Sequence, residues 1–479
     1  MSVNLKLLNT GNAKFLTPAY ADIVVQASDI PPNIVDNKFN VKYICRVIID
    51  GQQAAVLKAP IKDNTNRAIF RIHNILQDFT ETDKHGFETS DQNNDSTFNG
   101  QFFIDAPHSI HQIDKYSRNE RNLRHCFCFG GYEYSDTVSS ELQSVFNLAS
   151  NIDFLFLNAV EQHVAGFSST DFSTYLLNNS DSKFLSIFPN VFLNTPQTTE
   201  TGQKIQLKQY HTVAFFNGKH FEDSEVSRIR IQTFDANNNT IDTIFVLNNN
   251  ANGGAAFGTD ITYNIQQENG NLDEGLLYFG CGTAQLELLG FDLSNVASYS
   301  IRAYKVLQPF ELVEVSNAYK FDIQQPDCKG FETIRLAFLN RLGAYDYYNF
   351  TKKSVRTTQI AKSPIKQNYG QQTKRSSSAF GQQNNLSMYS QGTFDGGTRN
   401  FNVNAIETIE ANTDFIREEE CTILEELFTS SDVYMQTGDT FEPVVINETE
   451  YIKQTDANDM LKQYIITIEK AHNTRVQRL

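Results

Sequence analysis

Beginning at Phe39, apolar side chains recur at every second residue through Val41, Tyr43, Cys45, Val47 and Ile49. That is the period of a strand with one buried face. Asp50-Gly51 then predicts a tight turn, since both residue types tolerate positive φ, with residues 54–57 as the returning strand. A further strand is expected at 68–72, followed by about one helical turn over 73–79. Residues 80–100 are a run of Asp, Asn, Thr, Ser and Gly with few apolar anchors, which predicts a long surface loop. Strand-like runs resume at 126–132 and 154–158, closing a first sandwich near residue 185.

The same signature returns between 209 and 307, where strands are expected at 212–216, 229–234, 241–247, 276–279, 286–289 and 299–306. Asp235-Ala236-Asn237-Asn238-Asn239 supplies a turn between two of them, and 248–254 a longer Asn/Gly loop. Strands at this spacing predict a second sandwich over 186–320. The fold class is therefore mainly β, with tandem Ig-like or related β-sandwich domains. A hairpin is expected at 321–350.

From 351 to 399 the alternation stops and composition shifts to Gln, Ser, Gly and Asn. Eight bases, Lys352, Lys353, Arg356, Lys362, Lys366, Lys374, Arg375 and Arg399, face the single acid Asp395. Aromatic residues recur there at Tyr369, Phe380, Tyr389 and Phe394, which a free linker does not need. Residues 351–400 are accordingly expected to be an extended basic arm docked on a neighbouring subunit, in preference to a free linker. Residues 401–450 invert the charge, with thirteen acids, Glu418, Glu419 and Glu420 among them, against Arg417. A small acidic α+β region at 401–479 follows, with an amphipathic helix at 418–428 carrying Cys421, Leu424, Leu427 and Phe428 on one face. Strands are expected at 444–446 and 464–468.

A chain of 479 residues with 37 Phe and 20 Tyr has ample apolar volume for several cores. A net charge of −16 argues against nucleic acid as a partner, because non-specific affinity for phosphate rests on positive surface. The first residues carry no apolar run of signal-peptide length and no segment reads as a membrane span, so no membrane insertion is expected. Six scattered cysteines do not make a disulfide framework. Folding in a reducing cytoplasm is the expectation.

Chemistry is sparse. His108, His111, His125, Cys126 and Cys128 are the one metal-like grouping, but Cys126 and Cys128 share a strand face and read as small buried hydrophobes. There is no Gly-x-Ser-x-Gly elbow. Asn252-Gly253-Gly254 lacks the Lys-Ser/Thr of a phosphate loop, and Asp273-Glu274 reads as a solvated turn. No catalytic, metal or cofactor site is assigned, and the chain is not expected to be an enzyme.

The most distinctive stretch is 328–350, CKGFETIRLAFLNRLGAYDYYNF. A strand leads into Asn340, Gly343 lies in the turn, and Tyr345-Asp346-Tyr347 returns. In this order the segment resembles a signature of virion structural proteins from tailed phages of Bacteroidetes, the crAss-like group included, and from related marine phages. The resemblance implies a virion protein of the tail, neck or baseplate, with copies of itself and other virion proteins as partners. Joined to the charge reversal near residue 400, it implies a ring built by arm exchange. Lys352, Lys353, Arg356, Lys374, Arg375, Tyr369, Phe380 and Tyr389 would then meet Glu418, Glu419 and Glu420 of a neighbour. The alternative is a receptor- or carbohydrate-binding fibre protein, since Tyr-rich loops on β-sandwiches suit sugar stacking.

Overall fold

The computed structural model describes residues 3–8, 16–61, 65–83, 110–113, 116–118, 121–160, 172–188, 202–217, 226–248, 260–261, 275–307, 311–324, 330–367, 371–376, 385–390, 397–416, 421–447, 463–472 and 475–478. The architecture is mainly β, with several sheets and short helices.

The alternation from Phe39 forms strand Phe39–Ile49, which lies inside a five-stranded sheet between Leu123–Ser135 and Gln52–Pro60. Asp50 and Gly51 make the expected turn, at φ 45° and 79°. Gln143–Leu157 and Leu16–Pro18 complete that sheet. Over one face lies a three-stranded sheet of Asn4–Leu7, Val24–Ser28 and Arg67–Arg71. Val25, Ala27 and Phe70 of the smaller sheet share a sandwich-like core with Tyr43, Val47 and Phe156 of the larger. Cys45, Cys126 and Cys128 are also inside it and fully buried.

A second pair of layers encloses another core. Its larger sheet runs Gln203–Ile205, Tyr319–Ile323, Ser298–Leu307, Arg228–Phe234, Thr240–Leu247 and Asp260–Ile261, with Glu311–Glu314 added beside Ser298–Leu307. The opposing sheet has three strands, Thr212–Phe216, Leu276–Gly280 and Tyr116–Arg118. The runs TVAFF and LLYFG are apolar throughout and every residue in them is buried, the pattern of a strand covered on both faces. Val213, Phe215, Leu277 and Phe279 point into one core, while Ala214, Phe216, Leu276 and Tyr278 point into another.

Tyr116–Arg118, from the expected first domain, thus pairs with Leu276–Gly280 of the expected second. The core on the far face of this sheet also takes Leu16, Leu157, Leu185, Ala337, Tyr345 and Tyr347. One correction concerns 286–289, expected as a strand: the structure has a helix, Thr283–Leu288. Gln285 Oε1 accepts from the Gly282 amide at 2.7 Å and from the His211 amide at 2.9 Å, tying down the helix start. Leu286 is buried while Leu288 is 66% exposed.

The resembling segment forms strands Ile334–Leu339 and Tyr345–Phe350, paired in antiparallel register. They begin an eight-stranded sheet that continues through Val433–Thr437, Thr440–Ile446, Ile465–Lys470, Gly397–Asn412 and Ser354–Gln367, with Arg475–Arg478 also paired to Gly397–Asn412. Helix Cys421–Thr429 presses Cys421, Ile423, Leu424 and Leu427 onto this sheet, against Leu336, Phe338, Ile409, Ile466 and Ile468. Among the described residues no helix is long and apolar enough to cross a membrane.

Candidate assembly surface

The basic segment is a β-ribbon. Strand Ser354–Gln367 pairs antiparallel with Gly397–Asn412 from Ser354↔Ala411 to Gln367↔Gly397, and Gln371–Ser376 pairs with Asn385–Ser390 in the same sense further along the chain. Residues 355–364 are all exposed, on both faces of their strand. Val355 is 41% and Ile360 58% exposed, and on the partner strand Phe401 is 47% exposed. The register slips between Ser363 and Pro364, where Asn402 gives way to Asn400, leaving Phe401 as the extra residue of a bulge.

Some of the charge reversal is satisfied within the chain. Arg356 reaches Glu407 at 2.7 Å and Glu332 at 2.8 Å, and hydrogen bonds from Arg356 hold the Glu407 carboxyl below its usual range. Lys352 lies 3.3 Å from Asp414. Lys353 is exposed beside them. Lys374 and Arg375 fall in Gln371–Ser376 and Tyr389 in Asn385–Ser390. Tyr369, Phe380, Glu418, Glu419 and Glu420 lie outside the described residues, as do Asp273, Glu274 and the 252–254 loop.

The metal-like grouping separates. His108 is outside the described residues, His125 pairs with Asp153, and Cys126 and Cys128 are core. Among the described residues no group of three or more His, Cys, Asp or Glu side chains could hold a metal ion.

His111 belongs to a closed polar network that sequence reasoning missed. Tyr347 Oη lies 2.7 Å from its Nδ1. The Arg335 guanidinium stacks 4.9 Å above the Tyr347 ring. It donates to the Tyr210 carbonyl at 2.8 and 3.0 Å, to Asn349 Oδ1 at 2.9 Å and to Gln209 Oε1 at 3.2 Å. His211 Nδ1 lies 3.2 Å away. Burial, reinforced by the Arg335 charge, pushes His111 down to about 3 and His211 well below its usual value. Both rings are therefore neutral near pH 7 and can accept from their partners.

A second network fastens the hairpin turn. Asn340 Nδ2 donates to Asp346 Oδ2 at 2.6 Å and to the Leu185 carbonyl at 3.2 Å, while its Oδ1 accepts from the Leu342 and Ala344 amides at 2.9 and 3.1 Å. Asp346 also accepts from Ser186 Oγ at 2.5 Å and the Ile187 amide at 2.9 Å. Burial outweighs these donors and lifts its carboxyl to about 6. Gly343 sits at φ +80°, and a Cβ there would lie 2.7 Å from the Asn158 carbonyl oxygen, so the turn requires glycine.

Outside this turn opens a cleft of about 750 Å³, lined by Tyr20, Glu81, Arg341, Glu425, Glu426 and Asp432 among others. Arg341 ties Glu426 at 3.0 Å, and Asp432 accepts from Tyr345 Oη at 2.8 Å and Thr82 Oγ1 at 2.9 Å. In these networks the polar atoms are spent on one another, an arrangement that fixes geometry between distant segments. Neither a protein-family model nor a curated protein matches the chain.

Proposed function

We propose that this chain is a structural subunit of a tailed-phage virion, in the tail, neck or baseplate, and that it has no catalytic role. In this reading its sandwich-like layers are tandem Ig-like blocks. Its basic ribbon is the arm through which neighbouring copies close into a ring. The observation that carries the reading is the edge strand Ser354–Gln367, exposed on both faces from 355 to 364. An edge strand with no buried side chain gains little from its own sheet and offers its free edge to a partner. The resemblance of 328–350 to phage virion proteins supports the setting, and the interlocked cores suit a rigid building block. Quantitative peptide mass spectrometry of purified phage particles carrying this gene tests it. The chain is expected in multiple stoichiometric copies per particle, and its confinement to the lysate would sink the reading.

The fibre alternative has one observation in its favour: Tyr20 stands 47% exposed at a cleft bearing Glu425 and Asp432, and an aromatic ring with nearby carboxylates suits a sugar face and its hydroxyls. A glycan array on the purified chain separates the two, since a structural subunit leaves it blank.

A further inference from the structure

We infer that the outer edge of strand Ser354–Gln367, over residues 354–362, is the seat on which a second copy of this chain lays an acidic extended segment as an added strand. The inference rests on the assembly reading above and specifies where and by what chemistry the copies meet. Strand Gly397–Asn412 is paired on both sides, with Ser354–Gln367 along one edge and Ile465–Lys470 and Arg475–Arg478 along the other. Ser354–Gln367 ends the sheet, and among the described residues no strand pairs with its other edge. Its outward N–H and C=O groups therefore form a template of the kind that strand addition uses.

The limits of the seat are written into the strand. Pro364 supplies no N–H, and the bulge that brings in Phe401 twists the ribbon at the same point. A pairing strand can follow nine residues from Ser354 to Lys362, roughly 30 Å at about 3.3 Å per residue, and stops there. Long edges elsewhere are commonly blunted by such devices. Here they leave the half nearer the sheet open, where Val355, Thr357, Gln359 and Ile360 are exposed.

Charge selects the occupant. The strand bears Arg356, Lys362 and Lys366 and no acid, on a chain whose net charge is −16. Lys362 and Lys366 are exposed and have no charged partner among the described residues, whereas Arg356 is already engaged. Each copy therefore carries a basic edge and a predominantly acidic remainder, the two halves of a heterologous contact between copies. An acidic strand set along this edge satisfies the backbone groups and Lys362 together, while Lys366, just past the bulge, adds to the positive field that draws it in.

The test uses the full chain. Sedimentation at rising concentration is expected to show self-association that weakens at least tenfold when salt is raised from about 50 to about 500 mM, as screening shortens the reach of the lysines. Hydrogen exchange at 354–362 should slow at least tenfold in the associated sample relative to a dilute one. The double variant Lys362→Glu/Lys366→Glu, with unchanged circular dichroism, should lose association at least tenfold and keep dilute-sample exchange at every concentration. A wild-type chain that stays single, one that associates with unchanged exchange at 354–362, or a double variant that associates as tightly as wild type overturns the inference. Particle membership is measured separately. A chain present in particles but failing here loses only the seat. A chain absent from particles but passing here loses only the virion reading.

Discussion

Asn340 is 3% exposed and uses both ends of its amide, so its removal takes one of three donors from Asp346 and leaves two turn amides without their acceptor. Asn340→Ala is expected to cost about 2–4 kcal/mol, measured by denaturant unfolding, because buried polar partners lose their bonds without gaining water. The buried histidines and Asp346 pull in opposite directions with pH, and His211 acts in the same sense as His111. For His111 the unfolded chain binds its proton near 6.5 and the folded site only near 3, so stability is full above 6.5 and falls as pH drops through that window, by up to about 5 kcal/mol. Asp346, raised from 3.8 to about 6, binds its proton more readily when folded and adds stability as pH falls across its own window. His111→Gln should remove part of the decline of the unfolding midpoint between pH 6 and 4, leaving the share that His211 contributes, and an unchanged decline would remove the His111 imidazole as a cause. Asn340, Gly343 and Asp346 stood out in the sequence because a short turn concentrates them. Arg335 did not, since it interrupts the apolar run IRLAF and its partners Gln209, Tyr210 and His211 lie far back in the chain.

At the scale of elements, legibility followed burial. Strands with one wet face carry the alternation that identifies them, as Phe39–Ile49 does, and the doubly covered strand Thr212–Phe216 shows an apolar run bounded by turns. Helix Cys421–Thr429 was readable from its single apolar face, which the structure turns onto the last core. Leu424→Ala there is expected to destabilise by about 2–5 kcal/mol through the cavity it leaves, as read by thermal unfolding, and a loss under 1 kcal/mol would mean the helix is loosely docked. Thr283–Leu288 misled because two turns of helix with mixed leucines have no period to read. Strand Ser354–Gln367 reads as an extended arm and not as a sheet member for a related reason: exposed on both faces over 355–364, its residues owe nothing to alternation and its composition stays polar.

At the scale of the molecule, strand pairing disregards the boundary expected at 185. Tyr116–Arg118 needs Leu276–Gly280 beside it, and one core gathers side chains from Leu16 to Tyr347. Such closures between remote segments leave no local trace, so the strands could be read but not the core that their sheets share. A fragment ending at residue 185 is expected to expose Leu155, Leu157 and Leu185 and to be digested by protease where the full chain resists. A fragment as resistant as the whole would show that the first layers fold alone. The placement of sulfur carries a practical consequence. Cys45, Cys126, Cys128, Cys281 and Cys421 are all sealed in cores, and burial pushes the Cys281 thiol up, so an alkylating reagent finds them only when the sheets part. In a Cys328→Ser background, the pace of their modification becomes a stopwatch for how often each core opens, started without adding any foreign dye.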